Sequence, residues 1–162
     1  MADKGFITCL WFDGKAQEAA EYYVSVFKDS RLGRTLTYPE DTPGAAGAVM
    51  TVEFTANGQE FVALNGGPEF TFNEAISFQI MCEDQEEVDH YWNRLTEGGG
   101  QPGPCGWLKD RFGVSWQVVP KRLMQMYGGT GADREKGDRA MRAMLSMSKL
   151  DIAALEKAYA GE

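Results

Sequence analysis

Histidine is nearly absent from this chain: His90 is the only one in 162 residues. Cysteine is scarce as well, with Cys9, Cys82 and Cys105 and no CxxC pair. Imidazole, thiolate and carboxylate are the side chains that hold first-row metals well, so a His-based metal site is not expected. Three widely spaced cysteines do not make a disulfide framework. Cys9 and Cys82 fall in apolar runs, where a thiol behaves as a small hydrophobe. Reduced cysteines in a cytoplasmic protein are the expectation. Basic charge is short too: 16 Lys and Arg stand against 24 Asp and Glu, a net charge of −8. Nucleic-acid binding usually needs a basic face, so no nucleic-acid partner is expected. A cationic ligand would be tolerated. No apolar run approaches the roughly 18–20 residues of a membrane span. The segment MADKGFITCLWF holds no long apolar leader-like stretch. A P-loop and a GxSxG elbow are both missing.

What is present is enough apolar residue, 43%, to build an ordinary core. Phe6 to Phe12 is an apolar run of strand length, closed by Asp13-Gly14. From Lys15 to Phe27 the period changes. Ala16, Ala19, Ala20, Tyr23, Val24 and Phe27 make one helical stripe, with Asp13 available at or just before the N-cap. Arg31 to Tyr38 reads as a polar edge strand, and Pro39 to Gly47 as a loop. Ala48 to Thr55 alternates and meets Gln59 to Asn65 across Asn57-Gly58, a hairpin signal. The order then begins again. Ala75 to Cys82 is a strand, with Ser77, Gln79 and Met81 on one face. Asp84 to Leu95 is a helix with Val88, Tyr91, Trp92 and Leu95 inward and an Asp84/Glu87 capping pattern. Gly98 to Gly100 ends it.

The chain thus holds an internal repeat of about 70 residues. FITCLWFD…AAEYYVSVF and ISFQIMCED…VDHYWNRL are its matching landmarks. Strand–helix alternation combined with hairpins argues α+β: two βαβββ units, about 6–68 and 74–120, forming a duplicated domain over 1–120. Residues 121–162 read as a C-terminal helical extension. Its segments are Lys121 to Tyr127, then a break at Gly128 to Gly131, then Asp133 to Met147 and Leu150 to Tyr159. Ala140, Met141, Met144 and Leu145 form an apolar side that suits either a core or an adaptable partner surface.

The second repeat closes on CGWLKDRFGVSWQVVP, a hairpin turning through Asp110 to Gly113. Alternation sets Val114, Trp116 and Val118 against Ser115, Gln117 and Val119. Gln117 either faces water or lines a pocket. Two such units can enclose a cleft between inner faces. Its candidate lining is Thr8, Trp11, Glu53, Asn65, Ser77, Gln79, Trp107 and Gln117, which mixes aromatic surface with a few hydrogen-bonding groups, as ligand pockets do.

The motifs ITCLWFDGKAQEAAEYY, MTVEF, FVALNGGP, FNEAISFQIMCEDQEEVDHYW and CGWLKDRFGVSWQVVP resemble the PhnB-like branch of the vicinal-oxygen-chelate superfamily, which includes glyoxalase I, bleomycin-resistance proteins and extradiol dioxygenases. That branch is often labelled 3-demethylubiquinone-9 3-methyltransferase domain. KLDIAALEKAYAG is similar to the same group. The resemblance implies a homodimer. It also implies metal ligands, His or Glu, on the inner faces of the first, fourth, fifth and eighth strands. Here Ile7, Thr8 or Cys9, then Ala63 to Asn65, Ser77 and Gln117 fill those places, and neutral amides and hydroxyls bind divalent metals weakly. The label implies S-adenosylmethionine, yet EGGGQPGPCG follows a helix and leads into strands, the wrong order for a Rossmann-type cradle. The expectation is a small-molecule-binding protein without metal or cofactor. The alternatives are an enzyme (lyase, dioxygenase or methyltransferase) and an interaction module working through the Met-bearing helices.

Overall fold

The computed structural model describes residues 5–127 and 130–162. Two compact units divide the chain after Thr71, the second running from Phe72 to Glu162.

The first unit is β1 (Thr8–Phe12), α1 (Ala16–Val26), β2 (Arg31–Thr37), β3 (Val49–Ala56) and β4 (Gln59–Asn65). Its sheet has the order β1-β4-β3-β2, with β1 parallel to β4 and the remaining pairs antiparallel. Asn57 and Gly58, both at positive φ, turn β3 into β4, as the Asn-Gly pair predicts. Leu10, Phe12, Val52, Phe54, Phe61 and Ala63 are buried together with Ala16, Ala19, Ala20, Tyr23, Val26 and Phe27 of the α1 segment. Phe54 stacks between Tyr23 and Phe61. Val26 takes the inward place expected of Val24, because the stripe follows i, i+3, i+4 from Tyr23.

The N-terminus of α1 departs from expectation. Lys15, not Asp13, is the N-cap, and its side chain makes no cap bond. The Ala16 N–H instead donates to Asn65 Oδ1 at 2.9 Å. A carbonyl oxygen from β4 does the work of an Asx cap.

The second unit repeats the pattern: β5 (Ser77–Cys82), α2 (Gln85–Thr96), a 3₁₀ turn at Glu97–Gly99, β6 (Gln101–Pro102), β7 (Trp107–Lys109) and β8 (Ser115–Pro120). Its order, β5-β8-β7-β6, is that of the first sheet. Asp84 Oδ1 accepts from the Glu87 N–H at 2.9 Å, and Glu87 Oε2 accepts from the Glu83 N–H at 2.9 Å. This is a capping box shifted by one residue. Val88, Tyr91, Trp92 and Leu95 are buried, as are Ile80, Cys82, Leu108, Trp116 and Val118. His90 is exposed.

Three further helices complete this unit: α3 (Lys121–Met126), α4 (Ala132–Leu145) and α5 (Ile152–Ala160). The expected break at Gly128-Gly129 lies outside the described residues. Val119, Leu123, Met126, Ala140, Leu150 and Leu155 form one core, with Met144, Met147 and Tyr159 packed against it. The apolar side of α4 therefore splits. Ala140 and Met144 go inward, while Met141 and Leu145 are exposed.

Candidate functional site

The β7–β8 hairpin is set by a residue that strand alternation does not single out. Asp110 is buried, and its carboxylate is fully used. Oδ1 accepts from the N–H of Phe112 (2.8 Å) and of Val114 (3.1 Å), and Oδ2 accepts from Trp116 Nε1 at 2.8 Å. This closes the turn and fixes the indole on the α2 side. Gly113, at φ 88°, supplies the left-handed residue. With Trp116 inward, register places Ser115 and Gln117 on the opposite, open face.

Parallel pairing aligns Ser77 with Ser115 and Gln79 with Gln117, and antiparallel pairing aligns Trp107 with Gln117 and Lys109 with Ser115. Paired residues share a face. The open face of the second sheet therefore carries Ser77, Gln79, Trp107, Lys109, Ser115 and Gln117. Gln117 Nε2 donates to Ser77 Oγ at 2.8 Å, and Gln79 Nε2 donates to Gln117 Oε1 at 3.3 Å. The four expected residues of this unit thus converge, with Gln117 bridging Ser77 and Gln79.

Beside this row lies a pocket of about 400 Å³, lined by Glu74, Gln101 to Pro104, Trp107, Leu108, Lys109 and Ser115. Lys109 pairs with Glu74, and that hydrogen bond holds the Glu74 carboxyl below the usual carboxylate range. The Ser115 hydroxyl is buried and lacks a hydrogen-bond partner among the described residues. Of the pocket residues, sequence reasoning picked out Trp107 alone. Ser115 was legible as an open-face residue, but its burial was not.

The first unit splits its four candidates between two faces. Register puts Cys9, Trp11, Thr51, Glu53, Val62 and Leu64 on the open face. Thr8 shares the α1 side with Leu10 and Phe12. The odd-numbered residues of β1 thus take the open side, which settles the register in favour of Cys9 over Thr8. Partial burial pushes the Cys9 thiol up. Asn65 also lies on the α1 side. Its Oδ1 caps α1, and its Nδ2 donates to the Val49 carbonyl at 3.1 Å. Trp11 donates from Nε1 to the Gly67 carbonyl at 2.9 Å and meets Phe70 edge-on at 5.0 Å. Glu53 is paired: Arg34 reaches its Oε1 through Nη2 at 2.8 Å, across an irregular stretch of β2 between Leu32 and Thr35.

The metal that the fold family implies does not fit these donors. The amide of Gln117 is engaged at both ends, Ser77 offers a hydroxyl and Glu53 is neutralised by Arg34. Among the described residues no group of three His, Cys, Asp or Glu could hold a metal ion. A Rossmann-type S-adenosylmethionine cradle does not fit either. The glycines at 98–100 connect α2 to β6, whereas such a cradle lies between a strand and the following helix.

The family model described as 3-demethylubiquinone-9 3-methyltransferase matches residues 4–119. A PhnB protein from Bacillus cereus, provisionally described as a 3-demethylubiquinone-9 3-methyltransferase, is 36% identical. The match covers 72% of this chain and 99% of that one, with a TM-score of 0.64. Protein PA1353 from Pseudomonas aeruginosa is 22% identical over 73% of this chain and 98% of its own, with a TM-score of 0.59. The fosfomycin resistance protein FosX from Mesorhizobium loti shares the fold at 10% identity, covering 77% and 99%, with a TM-score of 0.52. No curated protein matches the chain by sequence. The repeated βαβββ topology and these matches agree: the chain belongs to the 3-demethylubiquinone-9 3-methyltransferase family, a PhnB-like branch of the vicinal-oxygen-chelate superfamily.

Proposed function

We propose that this protein binds a small organic molecule without a metal, on the open face of its second sheet. The observation that carries the reading is the Ser77–Gln117–Gln79 row, hydrogen-bonded at 2.8 and 3.3 Å and flanked by Trp107 and an open pocket. Neutral donors and acceptors beside an aromatic wall orient a ligand by hydrogen bonding and apolar contact. They give a divalent cation little to hold. The reading includes a cytoplasmic homodimer, which sedimentation equilibrium of the full chain would report as a doubled mass.

Elemental analysis of the purified protein tests the metal-free reading. The expected result is no stoichiometric metal. A stoichiometric metal lost in Gln117→Ala would sink it. The family description favours one second reading, a methyltransferase. Calorimetric titration with S-adenosylmethionine separates the two: binding heat supports the enzyme, and its absence supports the binding protein.

A further inference from the structure

The hydrogen-bonding row and the pocket differ in one respect. Gln117 engages both ends of its amide with its neighbours, so each polar group of the row that it touches already has a partner. One residue pair further along the same face, Ser115 is buried to 1% exposure with an unpartnered hydroxyl, and it lines the pocket. A buried hydroxyl without a partner costs stability that an apolar side chain of similar size would not. Directly across the ladder from it is Lys109, an ammonium held on a strand. Its acidic partner, Glu74, sits on an exposed turn ahead of β5. A carboxylate on a turn is readily exchanged for another carboxylate, because the ion pair is exposed to solvent and weak.

The pocket's wall is fixed from outside the family-matched region. The Ser148 hydroxyl donates to the Gly103 carbonyl at 2.6 Å. The N–H groups of Cys105 and Gly106 donate to the carbonyls of Met147 and Ser148, both at 2.8 Å. Pro102 and Pro104 stiffen the same segment, and the Gly103 N–H returns to the Trp107 carbonyl at 2.8 Å. A rigid apolar rim, an aromatic side chain, one strand-borne cation and one buried hydroxyl are thus held together.

We propose that this pocket takes a small planar carboxylate: Lys109 receives the carboxylate in place of Glu74, the buried Ser115 hydroxyl rotates toward the pocket to hydrogen-bond to it from below, and Trp107 covers the ring. The proposal rests on the small-molecule reading above and narrows it to a ligand class and a position. At about 400 Å³ the pocket matches the small end of ligand sites.

The test is a nuclear magnetic resonance titration of the full chain with benzoate and, separately, with its neutral counterpart benzamide. Benzoate should give saturable shifts at the Trp107 indole N–H and the Lys109 and Ser115 amides, with benzamide weaker by roughly threefold to fivefold, the scale of a half-exposed ion pair. Lys109→Met should cost benzoate a similar factor. Ser115→Ala should weaken benzoate severalfold while leaving the melting temperature unchanged or raised, an outcome a purely structural serine would not give. Equal binding of benzamide, an unaffected Lys109→Met variant, or no saturable shift with either probe overturns the proposal. Shifts confined to Ser77, Gln79 and Gln117 also overturn it while leaving the broader small-molecule reading intact.

Discussion

Asp110 shows how much one side chain can decide. Its carboxylate accepts from two backbone N–H groups and from the Trp116 indole. Asp110→Ala strands those donors in a buried site, at about 1–3 kcal/mol for an unsatisfied group. Urea unfolding should show a loss of that order or more, confined to the second unit. Gly66 makes a similar point through space. A Cβ there would overlap the Trp11 indole, which lies over the Gly66-Gly67 backbone. Gly66→Ala should push the indole off the Gly67 carbonyl and cost about 1–3 kcal/mol by overpacking. A shifted tryptophan emission maximum together with a lower urea midpoint would confirm it. An unchanged spectrum and midpoint would count against the packing described.

Among the elements, α1 is the one whose beginning depends on a remote residue. Asn65→Ala removes the oxygen that caps Ala16 and the amide bound to the Val49 carbonyl. The expected cost is about 1–2 kcal/mol. Amide hydrogen exchange should speed up in the first turn of α1 before it does elsewhere. Asn65→Asp keeps an acceptor and should recover part of the loss. The sequence displays Asp13 at the helix start, yet the cap comes from 49 residues away. Neither propensity nor spacing carries that information, because it depends on where β4 ends relative to α1. By contrast α2 carries its own box within five residues, Glu83 to Glu87, and its start was legible.

At the scale of the molecule, the C-terminal helices are part of the second unit's core. Leu155 is 1% exposed among Val119, Leu123 and Leu150. Leu155→Ala should cost about 2–5 kcal/mol, read by thermal unfolding. Deleting residues 121–162 should unfold the second unit, because Val119 loses its cover and the Gly103–Gly106 segment its partners. A truncated chain that kept the second unit's near-UV signal would refute this. Two ion pairs also brace the extension: Lys149 ties it to Asp89 of α2, and Arg122 with Glu156 joins α3 to α5 within it. Hydrogen bonds from Lys149 and Gln85 hold the Asp89 carboxyl down, and one from Arg122 holds Glu156 down. Carboxyls lowered in the folded state stabilise it fully above their ordinary values, 3.8 and 4.5. That stability is lost as pH falls through the lower folded values. The pairs are largely exposed, so the effect is small and weakened by salt. Melting curves from pH 6 to 3 should fall less steeply in Glu156→Gln than in the parent.

The sequence alone determined the two βαβββ units, the faces of β5 and β8, the buried stripe of α2 and, apart from Val26, most of that of α1, and the scarcity of metal-binding side chains. These are local quantities: period, turn chemistry and composition act within a few residues of one another. Tertiary structure decided which polar residues do structural work. It turned Thr8 and Asn65 to the α1 side, put Arg34 on Glu53, buried Ser115 beside Lys109, and folded the extension into the second core. Each of these depends on strand register and on contacts between segments far apart in the chain. Pairing Ser77 with Ser115 and Lys109 with Ser115 fixes where the pocket lies, and no period within a single segment contains that information.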